Sequence, residues 1–258
     1  MPSATRWIDE GIALLERIRD TQAEAIESAS QLCAEAIGAG GLVHTFGTGH
    51  SRIPVEEMFP RYGSYPGFHP IVELSMTFHT QVVGANGQRQ AMFIERTPGL
   101  AEVILANFQF GPKDAMLIFS ASGLGAVVVE MARGAKKRGL PVIAVTSVAA
   151  SMAGRPEPGV DARLMDEADV VIDLCTPASD ALIRLDGRPE TPVGPGSTLS
   201  AVAIGDAIKV RTAELLLAKD ELPPVITSAA EVGRKRSEEL FEAAYREHAR
   251  RASRSLAT

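Results

Sequence analysis

Two short turns carry the residue types that bind an anion. Residues 47–51 read Gly-Thr-Gly-His-Ser, and residues 120–125 read Ser-Ala-Ser-Gly-Leu-Gly. Each follows a short apolar run and precedes a stretch with helical spacing, so each reads as strand, tight turn, helix. A turn of that kind presents small side chains, backbone N–H groups and the positive end of a helix dipole to one point. Hydroxyls of Ser51, Ser120 and Ser122 add hydrogen bonds, and the backbone around Gly49 and Gly123 can come close to a ligand. The chemistry these groups suit is the grip of a phosphate. Glycine is common wherever a chain must bend, so one such turn says little, whereas two at the ends of parallel strands reinforce each other.

Residues 47–52 also imitate part of a dinucleotide-binding fingerprint, with Glu73 some twenty residues on as the acidic partner. Arg52, however, stands at the third glycine position, where it would crowd the approach of helix and strand. His50 lies inside the first turn, where a bland side chain would suffice, and is the most informative of the five histidines. His44 belongs to the first strand and reads as a core residue, while His248 sits in the tail. His69, His79 and Glu73 flank the second strand within reach of a cleft. No His-x-His, His-Glu-x-x-His or clustered-carboxylate pattern occurs, so neither a metal nor another cofactor is expected. No Gly-x-Ser-x-Gly occurs either, which speaks against hydrolase chemistry.

The turns need a scaffold. Of 258 residues, 45% are apolar and only 5% aromatic, so the core is built from Ala, Val, Leu and Ile, as in a parallel sheet covered by helices. From Ile8 to Ile37 apolar residues recur at helical spacing and stop at Gly38, Gly40 and Gly41, giving one or two leading helices. Strands are predicted at Leu42–Phe46, Pro70–Leu74, Ala115–Phe119, Pro141–Val145 and Val170–Leu174. Helices are predicted from about Ser51, over Leu100–Phe110, over Ala126–Arg138 with Gly139 as the stop, and over Thr198–Leu217. This alternation implies right-handed crossovers and a three-layer α/β/α sandwich, doubly wound about a mainly parallel sheet of about five strands. Such sheets bind ligands outside the carboxyl ends of their strands, where both turns fall. The stretch from Cys175 to Ser197 reads as loop, with a hairpin turning at Asp186-Gly187. Residues 1–40 form a helical prefix, 41–222 the ligand-binding domain and 223–258 a helical tail.

That tail carries seven Lys/Arg against four Glu between Arg234 and Arg254. Its Leu240, Phe241, Ala244, Tyr245 and His248 share one face, so a docked helix is expected rather than a nucleic-acid arm. A net charge of −6 offers no field for nucleic acid or an anionic membrane. No stretch approaches the ~18 apolar residues of a membrane span, no secretory signal is legible at the N-terminus, and Cys33 and Cys175 are too few for a disulfide framework. A soluble, cytoplasmic protein is expected.

The paired loops GTGHS and IFSASG, the run EMARGAKKRGL leading into PVIAVTS, and the late GPGSTLSAVAIGDAIK resemble the sugar isomerase (SIS) family from about Glu10 to Ala218. That family includes the isomerase half of glucosamine-6-phosphate synthase, sedoheptulose-7-phosphate isomerase and N-acetylmuramic acid 6-phosphate etherase. The run GHSRIPVEEMFPRYG is similar to that of an uncharacterised bacterial branch. The resemblance implies that Ser51, Ser120 and Ser122, with the backbone of Gly49 and Gly123, take a substrate phosphate; Gly125 stands where many members carry a threonine. It also implies roles for Glu57 in proton transfer and for Arg61 in lining the site. The late helix carries Asp206 and Lys209 where sedoheptulose-7-phosphate isomerase uses a histidine. A homodimer or homotetramer is implied, with the loop at Gly194–Ser197 and the late helix completing a neighbour's site.

Aldose–ketose isomerisation passes through an enediol(ate) and needs a base near carbon and an acid or cation near oxygen. The expectation is Glu57 as base, with His50, Arg61 or Lys209 on the oxygen side. Against it stands the ordinary reading of Glu57 and Arg61 as an i, i+4 ion pair on a helix surface. A non-catalytic sugar-phosphate sensor and a phosphosugar lyase or etherase are the alternatives.

Overall fold

The computed structural model describes residues 3–77 and 87–256. Five parallel strands form the central sheet: β1 (Val43–Gly47), β2 (Phe68–Ile71), β3 (Ala115–Ser120), β4 (Val142–Thr146) and β5 (Val170–Asp173). Their order is β2-β1-β3-β4-β5, so the winding reverses between β1 and β3. That reversal opens a crevice at the carboxyl ends of these two strands. β1, β3 and β4 are buried almost throughout, as expected for strands covered on both faces.

Two helices lead the chain, α1 (Ser3–Thr21) and α2 (Ala23–Gly38). At their junction Gln22 makes no side-chain cap; its Oε1 instead accepts from Asp173 N at 2.9 Å, tying the prefix to β5. Ala29, Cys33 and Ile37 of α2 join Leu117, Phe119, Ile143 and Val145 in one core layer. Across the sheet Met116, Ile118 and Ala144 meet Val127, Met131 and Ala135, which belong to a later helix. The helices after β1 are α3 (Arg52–Met58), α4 (Leu74–Thr77), α5 (Gly87–Ile94) and α6 (Leu100–Leu105); after β3 come α7 (Ala126–Lys137), α8 (Val148–Ala153) and α9 (Leu164–Glu167). A hairpin, β6 (Ala181–Leu185) with β7 (Arg188–Pro195), turns at Asp186-Gly187. The long α10 (Ser197–Leu217) lies against α2, and α11 (Ala229–Val232) leads into α12 (Arg234–Leu256).

The bounds of β2 and α6 differ from the sequence expectation. β2 begins at Phe68 and ends at Ile71 because Glu73 Oε1 accepts from Ser75 N and Oγ, opening α4 at Leu74. The helix expected to Phe110 ends at Leu105, where Asn107 Nδ2 turns back to donate to Val103 O and Ile104 O. Phe108 and Phe110 pack around His69 and His44 instead. No helix of the described residues is long and apolar enough to cross a membrane.

Candidate active site

A cavity of about 390 Å³ opens at the crevice between β1 and β3. Its floor is apolar, from Phe119, Val145, Leu174 and Ala201, and its polar groups come from the two turns, from α5 and from the start of α10.

The first turn brings Thr48, Gly49, His50 and Ser51 to the cavity wall. Gly49–Ser51 form one turn of 3₁₀ helix, with Gly49 at φ +54°. β1 must end in glycine here: a Cβ on Gly47 would lie 2.3 Å from Ser51 O. Arg52 is not among the residues lining the cavity; its Nη1 reaches Gly49 O at 3.4 Å and its Nε lies 3.4 Å from Glu56 Oε1.

The second turn brings Ser120, Ala121, Ser122 and Gly125 to the same wall. Gly123 N donates to Ser120 Oγ at 3.1 Å, which leaves the Ser120 hydroxyl proton to be donated into the cavity. Gly123 itself is buried and does not line the cavity. At φ +64° it lets its carbonyl accept from Leu164 N at 2.8 Å, and a Cβ would press on Thr146 Oγ1 and Leu164. Its part is therefore to close the turn.

Opposite the turns, α5 contributes Gln88, Ala91 and Met92, and Glu95 follows at its end. The Glu95 carboxylate accepts from Thr48 Oγ1 at 2.9 Å, and its carbonyl accepts from Val127 N in the first turn of α7 at 3.1 Å. From the other side come Asp180, Ser197 and Thr198. Asp180, at φ +61°, accepts from Ser197 N and Ser197 Oγ at 2.8 Å each and from Gly196 N at 3.3 Å. It anchors the N-terminus of α10 beside the cavity.

Of the residues singled out in the sequence, Gly49, His50, Ser51, Ser120 and Ser122 meet at this cavity. Glu57, Arg61 and Lys209 lie outside it. One Arg61 nitrogen donates to both Glu57 oxygens, at 2.8 and 2.7 Å, across one turn at the end of α3. Lys209, buried, donates to Glu57 O and to Asp206 Oδ1 at 3.1 Å each, binding α10 to α3. Glu73 is engaged by Ser75, and His79 lies outside the described residues. Among the described residues no group of three His, Cys, Asp or Glu could hold a metal ion.

His44 of β1, His69 of β2 and His248 of α12 form a cluster apart from the cavity. His44 Nε2 lies 3.1 Å from Asp114 Oδ2, and His44 Nδ1 lies 3.2 Å from His69 Nδ1; His248 of α12 stacks on the His69 ring. Burial, then the neighbouring His44 and His248, pushes His69 down to about 4. Burial, then Arg251, lowers His248. Burial works to raise Asp114, but hydrogen bonds from His44, Leu42 N and Gly111 N outweigh it and hold the carboxyl below its usual range.

Fold and cavity together define an open, doubly wound α/β protein with a pocket at its switch point. Residues 6–147 match the family model described as the SIS domain, and the chain belongs to that family. A UPF0309 protein of Listeria monocytogenes is 31% identical over 222 residues, covering 86% of this chain and 87% of that one. A UPF0309 protein of Streptomyces coelicolor is 33% identical over 227 residues, covering 87% and 88%. In fold the chain is similar to the phosphoheptose isomerases of Neisseria gonorrhoeae (TM-score 0.50, 15% identity) and Francisella tularensis (TM-score 0.51, 12% identity). Each of those matches covers 82% of this chain and 97% of the other.

Glu95 was not legible as a site residue. Its segment has no clear periodicity, and only the fold of α5 against the first turn brings it to the cavity.

Proposed function

We propose that this protein binds a phosphorylated sugar in the cavity between its two serine turns and interconverts aldose and ketose forms through an enediol(ate). The observation that carries the reading is convergence: two Ser/Gly turns, on adjacent strands at the switch point, face one cavity of about 390 Å³. That volume lies within the range of small-ligand sites. Phosphate oxygens would accept from the hydroxyls of Ser51, Ser120 and Ser122 and from backbone N–H groups around Gly49, while the sugar carbons lie over Phe119 and Val145. His50 is placed to serve the sugar oxygens. The fold shared with phosphoheptose isomerases supports the same ligand class. Two free thiols, one of them buried, suit a reducing cytoplasm.

The test is calorimetric titration with aldose, ketose and aminosugar phosphates beside their unphosphorylated forms, followed by NMR for conversion. A phosphorylated sugar should bind and its unphosphorylated form should not. Ser122→Ala should weaken that binding about 10- to 100-fold, the worth of a hydrogen bond to a charged group. Binding that ignores the phosphate would overturn the ligand; binding without conversion would make the protein a sensor.

A further inference from the structure

We infer that Glu95 is the group that moves the proton between the two sugar carbons. This rests on the isomerase reading above and adds to it the residue that would perform the step.

Three carboxylates come into question for that work, and their surroundings separate them. Glu57 is held by Arg61 outside the cavity. Asp180 lines the cavity, yet both its oxygens are committed to the N-terminus of α10: Oδ1 accepts from Gly196 N and Ser197 N, and Oδ2 accepts from Ser197 Oγ. Glu95 lines the cavity too, and its fixation is of another kind.

Its backbone is pinned at both ends, its N–H donating to Ala91 O at 3.0 Å and its carbonyl accepting from Val127 N at 3.1 Å. The carbonyl thereby occupies the first turn of α7, the helix that the second serine turn opens. Its carboxylate accepts at Oε2 from Thr48, a residue of the first serine turn, at 2.9 Å. Glu95 is thus tied to both elements that would hold the phosphate, and the distance from phosphate to base is set by the scaffold. Gly125 contributes to this approach: a Cβ there would lie 3.3 Å from Glu95 O, tighter than ordinary contact. The absence of a side chain at Gly125 lets the Glu95 backbone settle over the α7 N-terminus.

In the step itself the carboxylate takes the proton from carbon 2 of the aldose. The C–H electron pair becomes the C1–C2 double bond, and the carbonyl electrons move to O1, giving the enediol(ate). Return of that proton to carbon 1, with the O2 proton passing to O1, leaves the ketose. Atoms and electrons balance without a co-reactant.

The experiment follows solvent deuterium entering the bound phosphosugar in D₂O, beside calorimetric binding of the same phosphosugar. Glu95→Gln, nearly isosteric, should slow exchange about 10²- to 10⁴-fold, the usual worth of general acid–base catalysis, while binding changes by less than about threefold. Thr48→Val should lower kcat with KM little changed, as expected of a positioning residue. Glu57→Gln should keep the wild-type exchange rate. Should Glu95→Gln fail to fold, Glu95→Asp keeps the charge and should retain slow exchange. Wild-type exchange persisting in Glu95→Gln, or lost in Glu57→Gln alone, overturns Glu95 and leaves the isomerase reading standing. A wild-type protein that binds the phosphosugar and exchanges no deuterium overturns both.

Discussion

Gly47 shows how one side chain can decide the site. β1 ends on it, and the first serine turn folds back so tightly that a Cβ would sit 2.3 Å from Ser51 O and 2.8 Å from Ser51 C. Those neighbours are backbone and cannot swing aside, so Gly47→Ala must push the turn outward and carry Ser51 away from Ser120 and Ser122. We expect a loss of about 1–3 kcal/mol, the usual cost of overpacking, measured by urea unfolding, together with weaker phosphosugar binding. Unchanged stability and affinity would mean that the turn has slack and that its position is not what sets the site. Sequence alone shows that the turn needs glycine but not which glycine faces backbone. The same limit applies to the charged residues. Glu57 and Arg61 are visible as a pair at helical spacing, and the structure gives them each other as partners. Glu95 has no such signature, because its meaning lies in Thr48 and Val127, both distant in sequence.

At the scale of elements, alternation of apolar runs and helical spacing is enough to place all five strands, the hairpin turn and α10, most clearly β3 and β4, whose burial on both faces goes with an almost wholly apolar sequence. What the pattern does not reveal is how α12 is used. Its expected apolar face leaves Phe241 and Tyr245 exposed while Ala244 is buried, and polar contacts add to the hold. Arg251, buried, donates to Ile37 O and Gly41 O at 2.8 Å each, satisfying carbonyls at the end of α2, and Glu247 pairs with Arg251 at 2.7 Å. Beside them His248 covers His69, which His44 links to Asp114. This makes α12 docking sensitive to acid. The folded value of His69, about 4, lies below its ordinary 6.5, so the unfolded chain takes up its proton first. His69's contribution is fully present above about pH 6.5 and declines as pH falls toward 4, by roughly 3 kcal/mol in all. Asp114, held below its usual range, adds a loss in the same direction at still lower pH. Urea midpoints between pH 7.5 and 4 should therefore fall, and His69→Phe should flatten the slope over that interval. An equal slope in the variant would assign the acid sensitivity elsewhere.

Among the described residues, the outer side of α10 is a surface that neither the core nor the cavity explains. α10 sends Ile204, Ile208 and Leu216 into the core and holds the cavity at its N-terminus, yet Val210 and Leu217, two turns apart on its outer side, are 63% and 65% exposed. Packed beside the start of α10, α1 exposes Ile8 and Ile12 one turn apart. Isolated exposed apolar residues are ordinary, but pairs of them on each of two packed helices suit an interface. Ion pairs of Arg211 with Glu27 and Glu214 border the stripe with charge, the arrangement of an apolar centre and a polar rim. A second copy related by a two-fold axis would cover the stripe with itself, in keeping with the homo-oligomer that the sequence resemblance implies. We expect the protein to sediment as a dimer or tetramer, and Ile12→Glu with Val210→Glu to shift it toward monomer while each chain stays folded. Because α10 also carries Ser197 and Thr198 into the cavity, the dissociated variant should bind phosphosugar more weakly if the neighbour steadies that helix. Equal affinity in monomer and oligomer would show that each chain holds a complete site, and a wild-type protein that sediments as monomer would remove this surface from the account of the site altogether.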